Sequence, residues 1–208
     1  MDGTLIDSRE GITNGMRYAL EGHGLELPED LSLLIGPTLH QCFNEVFGFH
    51  GDELTKAVEK YREYYKEKGL YENTVYPGVM DVLETLKSAG VKLALGTSKV
   101  EVYTKVIVKD LKFTPYFDFV CGSLLSGERG KKYDIITHIR NVLDKEGKLR
   151  TVMIGDRKFD IAGANKAGIN SIGVTWGFSG KDELTQAGAT LIVDSMEELL
   201  AHCLENAD

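Results

Sequence analysis

From about residue 91 onward the chain alternates short apolar runs with stretches of helical periodicity. VKLALG, FDFVCG, TVMIG, INSIGV and TLIVD recur at intervals, with helix-like sequence between most of them. Runs that are apolar throughout, rather than at every second position, suit strands buried on both faces, and parallel sheets flanked by helices are where such strands occur. The predicted fold class is α/β with a doubly wound parallel sheet. Two helical stripes can be read directly: Val79, Val82, Leu83 and Leu86, and then Met196, Leu199, Leu200, Cys203 and Leu204. Their spacing keeps one apolar face, so both predict core-facing helices.

Between residues 8 and 76 the pattern changes. No strand is legible there, and the sequence predicts helices around 12–20, 39–47 and 54–67. The charged run TKAVEKYREYYKEK reads as a solvated helix face with aromatic anchors beneath. Pro77-Gly78 then marks the return to the sheet-forming part of the chain. The expected organisation is a core domain of residues 1–8 and 77–208, interrupted by a helical cap of residues 9–76.

At 208 residues the chain is long enough to bury a substantial core. Its net charge is -8, from 32 acidic and 24 basic residues, and no Lys/Arg cluster is interleaved with aromatics. That balance argues against nucleic acid and anionic membrane as partners. Cys42, Cys121 and Cys203 are spaced neither as a disulfide framework nor as a zinc site, which suits a reducing cytoplasm. His23, His40, His50, His138 and His202 show no metal-pair spacing. With no apolar run of membrane-spanning length and no basic-then-apolar start, the expectation is a protein neither secreted nor membrane-bound.

Four segments carry candidate chemistry. Asp2-Gly3-Thr4 is the back half of a phosphoryl-transfer motif, Asp-x-Asp-Gly-Thr at a strand end, although the same tripeptide also makes ordinary turns. In the full motif the strand's period of two puts both carboxylates on one face, the first to attack phosphorus and the second to move the leaving group's proton. In LALGTSK an apolar strand runs into Thr97, Ser98 and Lys99, where hydroxyls and free N–H groups at a helix start would bind an anion; the alternative is that Thr97 or Ser98 only caps that helix. In RGKKYDIITHIRNVL the predicted stripe is Ile135, Ile139, Val142 and Leu143, and Lys131 and Lys132 stand at the helix start, where the dipole disfavours cations. A bound phosphate or a neighbouring carboxylate would account for a lysine there, and so would plain solvation. TVMIGDRKFD is the most specific of the four: Asp156 and Asp160 share one strand-to-helix loop, and gathered oxygen ligands suit magnesium, while Asp160 alone would also serve as an N-cap.

Together, in order and spacing, these four segments resemble the motifs of the haloacid dehalogenase-like phosphatases across nearly all of the chain. MDGTLIDS, LIGPTLHQCF, KKYDIITHI and GDRKFDIAGA are most similar to the phosphoglycolate phosphatase and 5'-nucleotidase branch. The resemblance implies a Rossmann-like core with a small α-helical cap, and a Mg2+-dependent phosphomonoester hydrolase working through an aspartyl phosphate. It assigns Asp2 as acid/base, Thr97 as the hydroxyl holding a phosphoryl oxygen, and Lys132 as the cation that neutralises nucleophile and phosphate. It also implies substrate contacts at Gly3 and Ser98, and a metal site of Asp156, Asp160 and the backbone carbonyl of Asp2. Gly36, Pro37 and Thr38 in the cap become candidates for selecting the leaving group. The expected partner is a small phosphorylated metabolite, with no nucleic acid and no membrane, and the expected assembly is a monomer or weak homodimer.

The chain departs from that family in one respect. The nucleophilic aspartate would stand one residue before Met1, at the end of a central strand, so an internal methionine taken as the start of a longer protein is one reading and a catalytically impaired chain the other. Asp7 is no substitute, since it lies beyond the Gly3-Thr4 turn and together with Ser8 opens the next helix. Loss of that strand would separate the sheet into two halves. A non-catalytic phosphate- or nucleotide-binding protein and a phosphomutase of the same family are the alternative functions.

Overall fold

A computed structural model describes residues 1–205. Contacts divide the chain into two compact units, Asp7–Thr74 and the combination of Met1–Ile6 with Val75–Asp208. Two short paired strands, β1 (Ile6–Asp7) and β2 (Thr74–Val75), stand where the chain passes between units. No strand was predicted at β2, because two residues are too few to show a period.

The unit Asp7–Thr74 is helical. It contains α1 (Arg9–Leu20), α2 (Leu39–Gln41) and α3 (Gly51–Tyr64), with a single 3₁₀ turn at Leu31–Leu34. Both α2 and α3 continue into a turn of π-helix, Cys42–Val46 and Tyr65–Gly69. The core gathers Ile12, Met16, Ala19 and Leu20 from α1 with Phe43, Phe49, Val58, Tyr61 and Tyr65, and the Phe43 and Phe49 rings stack at 5.9 Å. Along TKAVEKYREYYKEK, Ala57, Val58, Tyr61 and Tyr65 are buried while Lys56, Glu59, Glu63 and Lys66 face solvent, as the charge pattern predicts. Thr38 caps α2: its hydroxyl accepts from Gln41 N at 3.3 Å, and Gln41 Oε1 accepts from Thr38 N at 3.0 Å.

The other unit is the α/β part. Following α4 (Val79–Ser88), β3 (Ala94–Val100) leads through α5 (Glu101–Asp110) to its parallel partner β4 (Phe119–Ser123). After α6 (Lys132–Leu143) come β5 (Val152–Gly155), α7 (Lys158–Ala167), β6 (Asn170–Val174), α8 (Lys181–Gln186), β7 (Leu191–Val193) and α9 (Met196–Glu205). All five predicted strands are present, and they form two sheets, β3-β4 and β5-β6-β7, every pairing parallel. β6 shows why its residues are apolar throughout. Ile172 and Val174 join a core with Val82 and Leu86 of α4 and Leu199 of α9, while Gly173 points the other way, toward Leu184 of α8. α6 packs on β3, β4 and α7, so one helical layer spans both sheets.

The stripe of α4 is buried at all four predicted positions. Of the other two stripes, Ile135 and Leu199 are buried and Ile139, Leu143, Met196, Leu200 and Cys203 partly so; Val142 is 38% exposed and Leu204 37%, each in the last turn of its helix, and in α6 Ile136 is buried beside Ile135. No helix among the described residues is long and apolar enough to cross a membrane.

Candidate active site

The end of β3 leaves its ladder irregularly. Gly96 pairs with Cys121 and Val100 with Ser123, so β3 spends two residues more than β4 over that stretch, and residues 97–99 bulge out. Bulges of this kind end pairing and re-aim side chains beside functional sites. Thr97 is buried, and its Oγ1 accepts from Lys99 N at 3.2 Å. The residue preceding α5 is Val100, so neither Thr97 nor Ser98 is its N-cap, and the capping alternative falls away. Ser98 contributes its carbonyl, which accepts from Ser123 Oγ at 2.8 Å. Lys99 turns back to Asp2, Nζ to Oδ1 at 3.1 Å, with both side chains largely buried.

The loop after β5 carries the two acidic residues. Asp160 is the third residue of α7, and Arg157 holds the N-cap position, so the N-cap alternative for Asp160 also fails. Its Oδ2 accepts from Arg157 N at 3.1 Å, and its Oδ1 pairs with Lys132 Nζ at 2.8 Å. Lys132 also donates to the Gly96 carbonyl of β3 at 3.2 Å, which links the two strand ends. Of the two lysines at the start of α6, Lys131 is exposed and Lys132 turns inward; a carboxylate neighbour is the reason it lies against the helix dipole. Gly163 makes room for it, since a Cβ there would stand 2.7 Å from Lys132 Cβ.

Asp156 is 1% exposed. Its Oδ1 accepts from Thr4 Oγ1 and its Oδ2 from Phe178 N, each at 3.0 Å, while its carbonyl accepts from Ser179 Oγ. Gly3 has φ +73°, and a Cβ at that position would collide with the Asp156 carboxylate, so the DGT turn needs glycine for both its conformation and its close approach.

Burial and then the neighbouring Asp160 charge push the Asp156 carboxyl up to about 6. Burial acts on Asp160 in the same direction, but the charge and hydrogen bond of Lys132 outweigh it and hold that carboxyl below its ordinary range. The Met1 α-amino group is buried among the same charges: burial and Lys132 lower it, while Asp2, Asp160 and Asp156 act the other way.

Asp2, Gly3, Thr97, Lys132, Asp156 and Asp160 are thus linked in one network within one unit, whereas Gly36, Pro37 and Thr38 belong to the other. Contributors without a predicted role include Thr4, Lys99, Phe178 and Ser179. The first two sit inside quoted motifs and were legible as their polar members. The last two act through a backbone N–H and a distant loop, for which no sequence signal exists.

Among the described residues no group of three or more His, Cys, Asp or Glu is gathered to hold a metal ion unaided. The donors nonetheless fit magnesium, which typically takes one or two carboxylates and completes its shell with water and substrate phosphate. Asp2 pairs with Lys99 and Asp160 with Lys132, so both lysine charges are already met by carboxylates and a phosphate dianion entering alone would add uncompensated negative charge.

The sequence profile of the haloacid dehalogenase-like hydrolases matches residues 1–174. A 5'-nucleotidase of Pseudomonas aeruginosa is 41% identical over 188 residues, 88% of this chain and 84% of that protein. A phosphoglycolate phosphatase of Agrobacterium fabrum is 30% identical over 189 residues, covering 86% and 79%. The crystal structure of a predicted phosphatase from Clostridium acetobutylicum superposes with a TM-score of 0.90 at 41% identity, covering 99% of this chain and 95% of that one.

Proposed function

Because this chain belongs to the haloacid dehalogenase-like hydrolase family, we propose that it serves as a magnesium-dependent phosphomonoester hydrolase acting through an aspartyl phosphate. The substrate class is a small phosphorylated metabolite, phosphoglycolate or a nucleoside monophosphate, in keeping with the names of the relatives above. The three cysteines, spaced neither as a disulfide framework nor as a zinc site, suit a cytoplasmic setting. The observation that carries the reading is Lys132, buried and bonded at once to Asp160 and to the Gly96 carbonyl, one residue before Thr97.

In this mechanism Thr97 and the N–H groups of the bulge hold phosphoryl oxygens, and Lys132 offsets the charge brought together by nucleophile and phosphate. Asp2 in its protonated form donates a proton to the departing oxygen and, left as the carboxylate facing Lys99, then takes one from the water that cleaves the aspartyl phosphate. Asp156, Asp160 and the Asp2 carbonyl would hold magnesium, which neutralises charge on the transferring group.

In the family motif the attacking aspartate stands two positions before Asp2. Asp7, the next carboxylate in sequence, is engaged by Arg9 at 2.7 Å and belongs to the helical unit. Residues 1–208 alone are therefore expected to turn over substrate more slowly, by a factor on the order of 10⁴ to 10⁶, than a longer polypeptide carrying an apolar strand that ends in Asp before Met1. Both polypeptides should be assayed on a panel of phosphoesters with and without magnesium. Equal rates would remove the nucleophile assignment. Phosphate binding without turnover in the longer polypeptide would point to a non-catalytic binder, and conversion of a sugar phosphate without phosphate release to a phosphomutase.

A further inference from the structure

One acidic side chain outside the site reaches the loop between Asp156 and Asp160. Glu183 Oε1 accepts from Arg157 Nε and from Lys158 N, each at 2.9 Å. Those donors belong to two of the three residues that separate Asp156 from Asp160. The third, Phe159, lies beneath both cations, its ring 5.6 Å from Arg157 Cζ and 5.5 Å from Lys158 Nζ. Arg157 in turn gives its N–H to Asp160, and Asp160 N–H bonds back to the Arg157 carbonyl at 2.9 Å. Glu183 is itself well anchored, since its neighbour Leu184 is fully buried against Gly173 of β6. The same connection from β6 to α8 supplies Phe178 N and Ser179 Oγ to Asp156. One segment thus fixes both ends of the loop, Asp156 through residues 178 and 179, and Asp160 through Glu183.

We propose that Glu183 is a positioning residue for the divalent cation: by fixing Arg157 and Lys158 it sets the separation of the Asp156 and Asp160 carboxylates. The alternative is a partly exposed ion pair of small consequence, which would stabilise the fold slightly and leave cation affinity alone. Geometry distinguishes the two, because outer partners that orient ligands typically contribute about 10- to 100-fold in metal affinity. Glutamine keeps an oxygen where Glu183 has one, so it should serve nearly as well; alanine should not.

This inference rests on the divalent-cation reading of the site. The test is titration of the full chain with Mn2+ as magnesium surrogate, read by electron paramagnetic resonance, which needs no turnover. The expected result is Mn2+ affinity reduced about 10- to 100-fold in E183A and nearly unchanged in E183Q. Wild-type affinity in E183A, or equal losses in E183A and E183Q, would overturn the role of Glu183 while leaving the cation site standing. No Mn2+ binding by the wild type would remove both. If E183A does not fold, E183D carries the test, since it keeps the charge and withdraws the acceptor by one methylene; weaker binding supports the proposal and wild-type affinity refutes it.

Discussion

The two strand ends that make the site are held very differently. The loop after β5 is fastened at nearly every residue: Asp156 by Thr4, Phe178 and Ser179, Arg157 and Lys158 by Glu183, and Asp160 by Arg157 and Lys132. The bulge after β3 rests on the Lys99 N–H to Thr97, the Ser123 hydroxyl to the Ser98 carbonyl, and the Lys99–Asp2 pair. Carboxylates that hold magnesium, as proposed for Asp156 and Asp160, must be fixed closely, because that ion tolerates little departure from its octahedron. On the proposed reading the bulge instead donates to phosphoryl oxygens, through the Thr97 hydroxyl and its N–H groups. The difference predicts that lesions in the first region damage both fold and site, while lesions in the second damage the site alone.

Lys132→Ala should have the largest effect. It strands a buried Asp160 charge, and loss of one partner from a buried pair typically costs about 3–5 kcal/mol, measurable as a lower midpoint in urea. Thr4→Val comes next, since it removes the donor to Asp156 Oδ1 and should cost about 1–3 kcal/mol in the same measurement. Thr97→Ala sharpens the contrast: a stability loss of about 1 kcal/mol or less, yet phosphate affinity reduced about tenfold by calorimetry. If Thr97→Ala destabilised the chain as much as Lys132→Ala, the contrast between the regions would collapse.

The smallest effect concerns pH. Glu101, at the start of α5, is pushed up by burial, but Lys105, the Gly122 N–H and Arg129 outweigh that and hold it below its ordinary 4.5. The folded chain thus binds fewer protons there than the unfolded one. Glu101 contributes stability above about pH 4.5 that is lost as pH falls through its folded pKa. In Glu101→Gln the acid limb of a stability–pH curve should be shallower, and an unchanged limb would assign that limb to other carboxylates.

Strands and helices were legible because burial on both sheet faces writes continuous apolar runs, as Ile172 and Val174 show against Gly173. The π turns after α2 and α3 were not, because they record how a helix end packs rather than which residues it contains. In the site, the spacing of Asp156 and Asp160 was readable since both act from one loop. Periodicity could not choose between Lys131 and Lys132; the choice depends on which side chain reaches a carboxylate 28 or 29 positions away. Glu183 was invisible for the same reason, lying 26 positions from Arg157 and on a different helix.

The most direct test of the central claim is calorimetric titration of inorganic phosphate into the chain, with and without Mg2+, for wild type and Asp156→Asn. Phosphate should bind the wild type only in the presence of Mg2+ and should not bind the variant measurably under either condition. Binding that ignores magnesium, or that survives intact in Asp156→Asn, would contradict a single cation-and-phosphate site at these strand ends.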